Sequence, residues 1–118
     1  MAKRLLIIDD EAIVLDALAA ILEEMGYEVT PCGDSSDGAR RGVEESYDLI
    51  LCDLRMPGMN GAAVTKEILR GNPSAKILII TAFASDPLAE QALSAGALGL
   101  VKKPFEIAKI LNYLKEET

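Results

Sequence analysis

Five short apolar runs, each separated from the next by a stretch of helical periodicity, constrain this chain more than any other feature. The first lies in residues 3–8, where Leu5, Leu6, Ile7 and Ile8 follow one another without a polar break. An uninterrupted run of this length suits a strand covered on both faces, since a strand with one wet face would alternate. Residues 12–25 then place Val14, Leu18, Ile21, Leu22 and Met25 on one helical stripe, and Gly26 stands where a left-handed residue ends a helix. The alternation continues with a strand predicted over 27–31, a weak helix capped by Ser35 or Ser36 and running to about residue 46, and a strand over 48–52. A turn-rich loop over 55–61 leads to a helix over 62–70, capped by Asn60 and closed by Gly71, Asn72 and Pro73. The fourth strand covers 75–81, with Ile77, Leu78, Ile79 and Ile80 in sequence. Pro87 fits the first turn of a helix capped by Ser85 or Asp86 and ended by Gly96. A short strand over 97–101 and an amphipathic helix over 105–116 complete the pattern.

Strands and helices in strict alternation predict an α/β fold, doubly wound, with a parallel sheet covered by helices on both faces. The length of 118 residues is that of one domain, taken here as 1–118. Chemistry in such folds collects beyond the carboxyl ends of the strands, where the strand order reverses. The residues at those positions are polar: Asp9 and Asp10 after the first strand, Asp53 after the third, Thr81 at the end of the fourth and Lys103 after the fifth. They are distant in sequence, yet the fold predicts that they share one rim.

Carboxylates converging on one rim repel each other. Two unit charges about 4 Å apart interact by roughly 4 kcal/mol at an effective dielectric near 20. A hard divalent cation removes that cost, and a small set of oxygen ligands suits Mg²⁺. The predicted ligands are Asp10 and Asp53, with Asp9 acting directly or through water and Arg55 offering its backbone carbonyl. A carboxylate beside such an ion is placed to attack a phosphoryl group and form an acyl phosphate. Asp53 is the expected nucleophile because its strand lies between the acidic pair and the Thr81/Lys103 pair. The Lys103 ammonium would offset charge on the transferring oxygens, and the Thr81 hydroxyl would hydrogen-bond a phosphoryl oxygen.

Composition narrows the classes further. A net charge of −7 without a Lys/Arg stripe argues against direct nucleic-acid binding. No apolar run approaches the roughly 20 residues that cross a bilayer, and the residues around Lys3 and Arg4 lack the apolar core of a signal peptide. Cys32 and Cys52 form no metal or redox spacing and are expected to be reduced core thiols of a cytoplasmic protein.

At this point the chain resembles the receiver-domain family of two-component response regulators. The matching residues are Leu5 to Glu11 with Asp9 and Asp10, Asp53 through Met56, Pro57, Gly58, Met59, Asn60 and Gly61, then Thr81-Ala82 and Lys103-Pro104-Phe105. The resemblance implies a flavodoxin-like fold of strand order 2-1-3-4-5, with a cis bond between Lys103 and Pro104. It also implies a phosphorylation-dependent switch, in which a histidine kinase or phosphotransfer protein passes its phosphoryl group to Asp53. Such a domain catalyses only its own phosphorylation and dephosphorylation. Its fourth helix, fifth strand and fifth helix would present a changing surface to an output domain or protein, or to a second copy of the chain. Members of the family couple the equivalent of Thr81 to an aromatic residue on the fifth strand; the place three before Lys103 holds Leu100 here. Arg55 and Phe83, two residues after Asp53 and Thr81, are expected to flank the acyl phosphate, with Phe83 impeding the hydrolytic water.

Two other readings fit less of the chain. A phosphohydrolase with an aspartyl-phosphate intermediate would carry a second Asp two residues after the nucleophile, where Arg55 stands. A flavin-binding module would need a Ser/Thr/Gly loop after the first strand, where Asp9, Asp10 and Glu11 would repel a flavin phosphate.

Overall fold

The computed structural model describes residues 2–103 and 106–115. Five strands and five helices alternate as the apolar runs predict: β1 (Arg4–Ile8), α1 (Ala12–Glu24), β2 (Glu28–Cys32), α2 (Ser35–Glu44), β3 (Leu49–Asp53), α3 (Gly61–Gly71), β4 (Ile77–Thr81), α4 (Pro87–Ala95), β5 (Gly99–Lys102) and α5 (Ile107–Lys115). All pairings are parallel, and the strand order is β2-β1-β3-β4-β5. The fold is therefore the doubly wound flavodoxin-like arrangement, with its order reversing between β1 and β3. The expected cis bond at Lys103-Pro104, the start of the last helix at Phe105 and its end at residue 116 lie outside the described residues.

The apolar strands serve two cores at once. Successive side chains of a strand point to opposite faces, so Leu6, Ile8, Ile50, Cys52, Ile77 and Ile79 pack with residues of α2, α3 and α4. Leu5, Ile7, Leu49, Leu51, Leu78 and Ile80 instead meet α1 and α5 on the other side. Every residue of β3 and β4 is buried. Small residues let the helices lie close: Ala39, Ala62, Ala89 and Ala92 are all buried on the α2–α3–α4 side.

Three details differ from the sequence reading. The buried stripe of α1 is Leu15, Leu18, Ala19 and Leu22, whereas Ile21 and Met25 are 39% and 48% exposed. The helix is rotated so that small Ala19 meets the sheet, a choice that a search for large apolar residues overlooks. Second, Asp34 caps α2, accepting a hydrogen bond from the Asp37 amide. A carboxylate at that place is at least as good a cap as a hydroxyl. Ser35, freed from capping, is buried; its hydroxyl donates to the Pro57 carbonyl and accepts from the Met59 amide, tying α2 to the loop after β3. Third, the strands β2, β3 and β5 sit one or two residues later than predicted, which makes Asp53 the last residue of β3 itself.

The caps at Asn60 and Asp86 are as predicted, with side-chain oxygens accepting from the Ala63 and Leu88 amides. Gly96 ends α4 at φ +120°, a conformation that favours glycine. Gly61 is required by a close approach: a Cβ there would lie 2.6 Å from the Asp53 carbonyl oxygen and 2.9 Å from Leu54 Cα. Its amide donates to the Leu54 carbonyl at 2.7 Å, so α3 begins directly against the end of β3.

Candidate functional site

The parallel sheet delivers its polar residues to one edge. Asp9 follows β1, Asp53 and Thr81 end β3 and β4, and Lys103 follows β5. Because β3 is flanked by β1 and β4, Asp53 occupies the middle of this row. Carboxylate oxygens of Asp9, Asp10 and Asp53 lie within 4.8 Å of one another. Asp9 is fully buried, Asp53 nearly so, and Asp10 is exposed.

Lys103 ties the cluster together. Its Nζ lies 3.3 Å from Asp9 Oδ2, 3.2 Å from Asp53 Oδ1 and 3.1 Å from Glu11 Oε1. One ammonium thus faces three carboxylates, and Asp10 adds a fourth negative group beside them. Burial lowers the affinity of the lysine for its proton, but Glu11, Asp53 and Asp9 outweigh it and the Lys103 pKa ends above its usual value. Asp53 moves the other way for an acid: burial first, then the Asp9 charge, push its pKa up to about 6 despite Lys103 and the Leu54 amide, which favour the charged form. The Leu54 N–H donates to Asp53 Oδ1 at 2.8 Å, and the Glu11 N–H to Asp9 Oδ1 at 3.0 Å.

These donors leave the cluster undersatisfied. Asp9 Oδ2 is buried and accepts no hydrogen bond, although the Lys103 ammonium is within ion-pair distance. A buried acceptor of this kind is expensive unless something binds it. Excess negative charge, an all-oxygen donor set and a buried carboxylate oxygen that accepts no hydrogen bond together fit a hard divalent cation.

Beside the acids lies a cavity of about 170 Å³, lined by Glu11, Asp53, Leu54, Arg55, Thr81, Ala82, Phe83, Asp86 and Lys103. The Thr81 hydroxyl opens onto it but is engaged locally, accepting from the Phe83 amide and donating to the Phe83 carbonyl. Phe83 lines the cavity but is 73% exposed, so its ring is not part of the core. The Arg55 guanidinium does not turn to the acids. It holds Asp86 through two hydrogen bonds of 2.8 and 2.7 Å, and this pairing, followed by the Leu88 amide, keeps the Asp86 carboxyl below its usual pKa.

Of the residues picked from sequence, Asp9, Asp10, Asp53 and Lys103 are brought into one cluster, and Thr81, Phe83 and Arg55 line the adjoining cavity. Two partners were missed. Glu11 is present in the acidic triplet after β1 but was seen only as part of that run, and Asp86 was seen only as a helix cap. Neither carries a local signal, since both acquire their roles from contacts across the sheet edge.

The raised pKa of Asp53 has a measurable consequence in metal-free protein. The folded state holds the Asp53 proton more tightly than the unfolded chain, whose carboxyl titrates near 3.8. The stability that Asp53 contributes in its protonated form is therefore lost as pH rises from about 4 to about 6, and its contribution is level above that. Asn at this position mimics the protonated acid. In the presence of a chelator, Asp53→Asn is expected to be more stable than the parent at pH 7.5, by at most about 3 kcal/mol, with the difference closing near pH 4. Urea titrations at the two pH values check this, and a parent that is the more stable protein at pH 7.5 would contradict it.

Comparison with known proteins agrees with this geometry. The profile of the response regulator receiver domain matches residues 5–115. The chain is 38% identical over 112 residues to the transcriptional regulatory protein ZraR of Salmonella typhimurium, covering 95% of this chain but only 25% of that protein. It thus spans about a quarter of that relative's length. The chemotaxis protein CheY of Thermotoga maritima is 35% identical, with 98% of each chain covered. Among solved structures, the receiver domain of a Pseudomonas aeruginosa sensor histidine kinase, which has a magnesium ion coordinated in its active-site cleft, superposes with a TM-score of 0.88 at 29% identity, covering 98% of this chain and 97% of that one. The chain belongs to the CheY-like response regulator receiver domains of two-component signalling.

Proposed function

We propose that this chain is a Mg²⁺-dependent phospho-acceptor switch in which Asp53 receives a phosphoryl group from a histidine kinase or phosphotransfer protein. The observation that carries the reading is the shared ammonium: Lys103 bridges Asp53 to a buried Asp9 whose Oδ2 accepts no hydrogen bond. Asp9, Asp10 and Asp53 would hold the ion, with the Arg55 backbone carbonyl as a further oxygen. Bound there, Mg²⁺ supplies charge neutralisation for transferring phosphoryl oxygens. The magnesium in the Pseudomonas aeruginosa relative's cleft supports that choice of metal.

The chain's own residues divide the remaining work. Asp53 Oδ1 is held by the Leu54 amide and by Lys103, which orients the carboxylate toward the cavity side of the rim. Lys103 stays protonated and follows the charge as it moves from carboxylate to phosphoryl oxygens. The Thr81 hydroxyl would exchange its bond to the Phe83 carbonyl for one to a phosphoryl oxygen, and its movement is the first local change of the switch. Leu100 lies beside Ile79 in the β4–β5 register and packs on the α2–α3–α4 core. Its branched side chain would follow Thr81 through packing alone. The output would be read on the surface of α4, β5 and α5 by a downstream protein or an attached domain, or by a second copy of the chain. No nucleic acid is expected to bind the domain directly. Among the described residues no helix is long and apolar enough to cross a membrane, and a cytoplasmic location suits a partner of the kinase.

Incubation with Mg²⁺ and acetyl phosphate is expected to add one phosphoryl group to the intact mass of the parent and none to Asp53→Asn. Equal labelling of the two proteins, or turnover of a free phosphate ester, would remove the reading. Phe83 gives a second test, because it is an exposed apolar residue on the cavity lining. Replacing it by Glu or Asn is expected to shorten the phosphoryl lifetime by a few-fold or more, as water gains access and a polar partner. An unchanged dephosphorylation rate would show that the ring does not govern that water.

A further inference from the structure

A bidentate side-chain pair, Arg55 with Asp86, links the cavity beside Asp53 to α4. The bidentate pair joins the loop after β3 to the first residue before α4, across 31 positions of sequence. Its two ends differ in environment. The Asp86 side chain is only 10% exposed, whereas that of Arg55 is 66% exposed. Asp86 is also the capping residue of α4: Oδ1 accepts from the Leu88 amide, the same oxygen receives the Arg55 Nη2 bond, and the Ala89 amide bonds to the Asp86 carbonyl. The guanidinium therefore secures the residue on which the first turn of α4 depends.

Both residues line the cavity that Asp53, Thr81 and Lys103 enclose. A phosphoryl group arriving on Asp53 brings about two negative charges and three acceptor oxygens within two residues of Arg55. Guanidinium pairs with phosphate bidentately, as it does with carboxylate, and the anion with more charge and more oxygens attracts it more strongly. Among the described residues no other arginine lines this cavity.

We propose that Arg55 is an exchangeable latch. In the unphosphorylated domain it holds Asp86 and the start of α4, and on phosphorylation it moves to the phosphoryl group and releases them. The proposal rests on Asp53 being the phosphoryl acceptor. It gives α4 a route to sense the phosphoryl group that does not run through Leu100. Released Asp86 keeps its hydrogen bond to Leu88 but loses its anchor, so the first turn of α4 opens more often. With its Arg55 end in solvent, the pair contributes about 1 kcal/mol, so the expected rise in opening is about two- to fivefold.

The test is hydrogen exchange of the α4 amides, residues 88–92, before and after treatment with Mg²⁺ and acetyl phosphate. Phosphoryl occupancy is read from intact mass on the same samples. Asp86→Asn keeps a good capping oxygen while removing the charge that holds Arg55, and Arg55→Ala removes the other half. In the parent, exchange is expected to quicken about two- to fivefold on phosphorylation. In both variants it should be fast beforehand and not quicken further. A parent that takes up the phosphoryl group without a change in α4, or variants that respond as the parent does, would overturn the latch alone. A parent that takes up no phosphoryl group removes the acceptor reading and the latch with it.

Discussion

A single ammonium among buried carboxylates is the interaction on which the rest of this structure turns. Lys103 reaches Asp9, Asp53 and Glu11 at 3.1 to 3.3 Å. Without it, the ends of β1 and β3 would bring like charges together in a low-dielectric setting with nothing between them. With it, the balance is still negative. The fold accepts this cost at one edge because the remainder of the sheet is uniformly apolar: β3 and β4 are buried throughout, and both faces are covered. Stability resides in the sheet and its helices, and reactivity is confined to the rim where the strands stop.

That division explains how much the sequence discloses. Apolar runs such as Leu5 to Ile8 and Ile77 to Ile80, alternating with stretches of helical period, fit buried parallel strands, so the fold and its rim were legible. Once strand ends are known, topology alone brings Asp9, Asp53, Thr81 and Lys103 together, whatever their separation in sequence. Details set by competition between neighbours were not legible. Ser35 looks like a cap, but Asp34 takes that place and the hydroxyl is used to tie the loop at Pro57 and Met59. The buried stripe of α1 uses Ala19 rather than Ile21 because close approach to the sheet matters more than side-chain size. Arg55 was read through its distance from Asp53, while its partner, Asp86, belongs to another loop and is found only in three dimensions.

The same division bears on signalling. Thr81 and Phe83 form a closed pair of hydrogen bonds at the cavity, and Arg55 and Asp86 form another. All four residues line the cavity beside Asp53, and in each pair one member belongs to the loop that begins α4. On the proposed reading, a phosphoryl group on Asp53 would compete for Thr81 and for Arg55. With an aliphatic residue at position 100, the β4–α4 loop would register that competition and carry the change into α4.

The negative excess at this rim fits a divalent-cation site built around Asp9, Asp10 and Asp53. Its most direct test is the thermal midpoint of the protein at neutral pH, followed through a Mg²⁺ titration at constant ionic strength. Binding to the folded state alone predicts a saturable rise of the midpoint in the parent. The rise should be largely lost when Asp9 and Asp10 are both replaced by Asn. A midpoint insensitive to Mg²⁺, or one that rises equally in that double variant, would contradict the account.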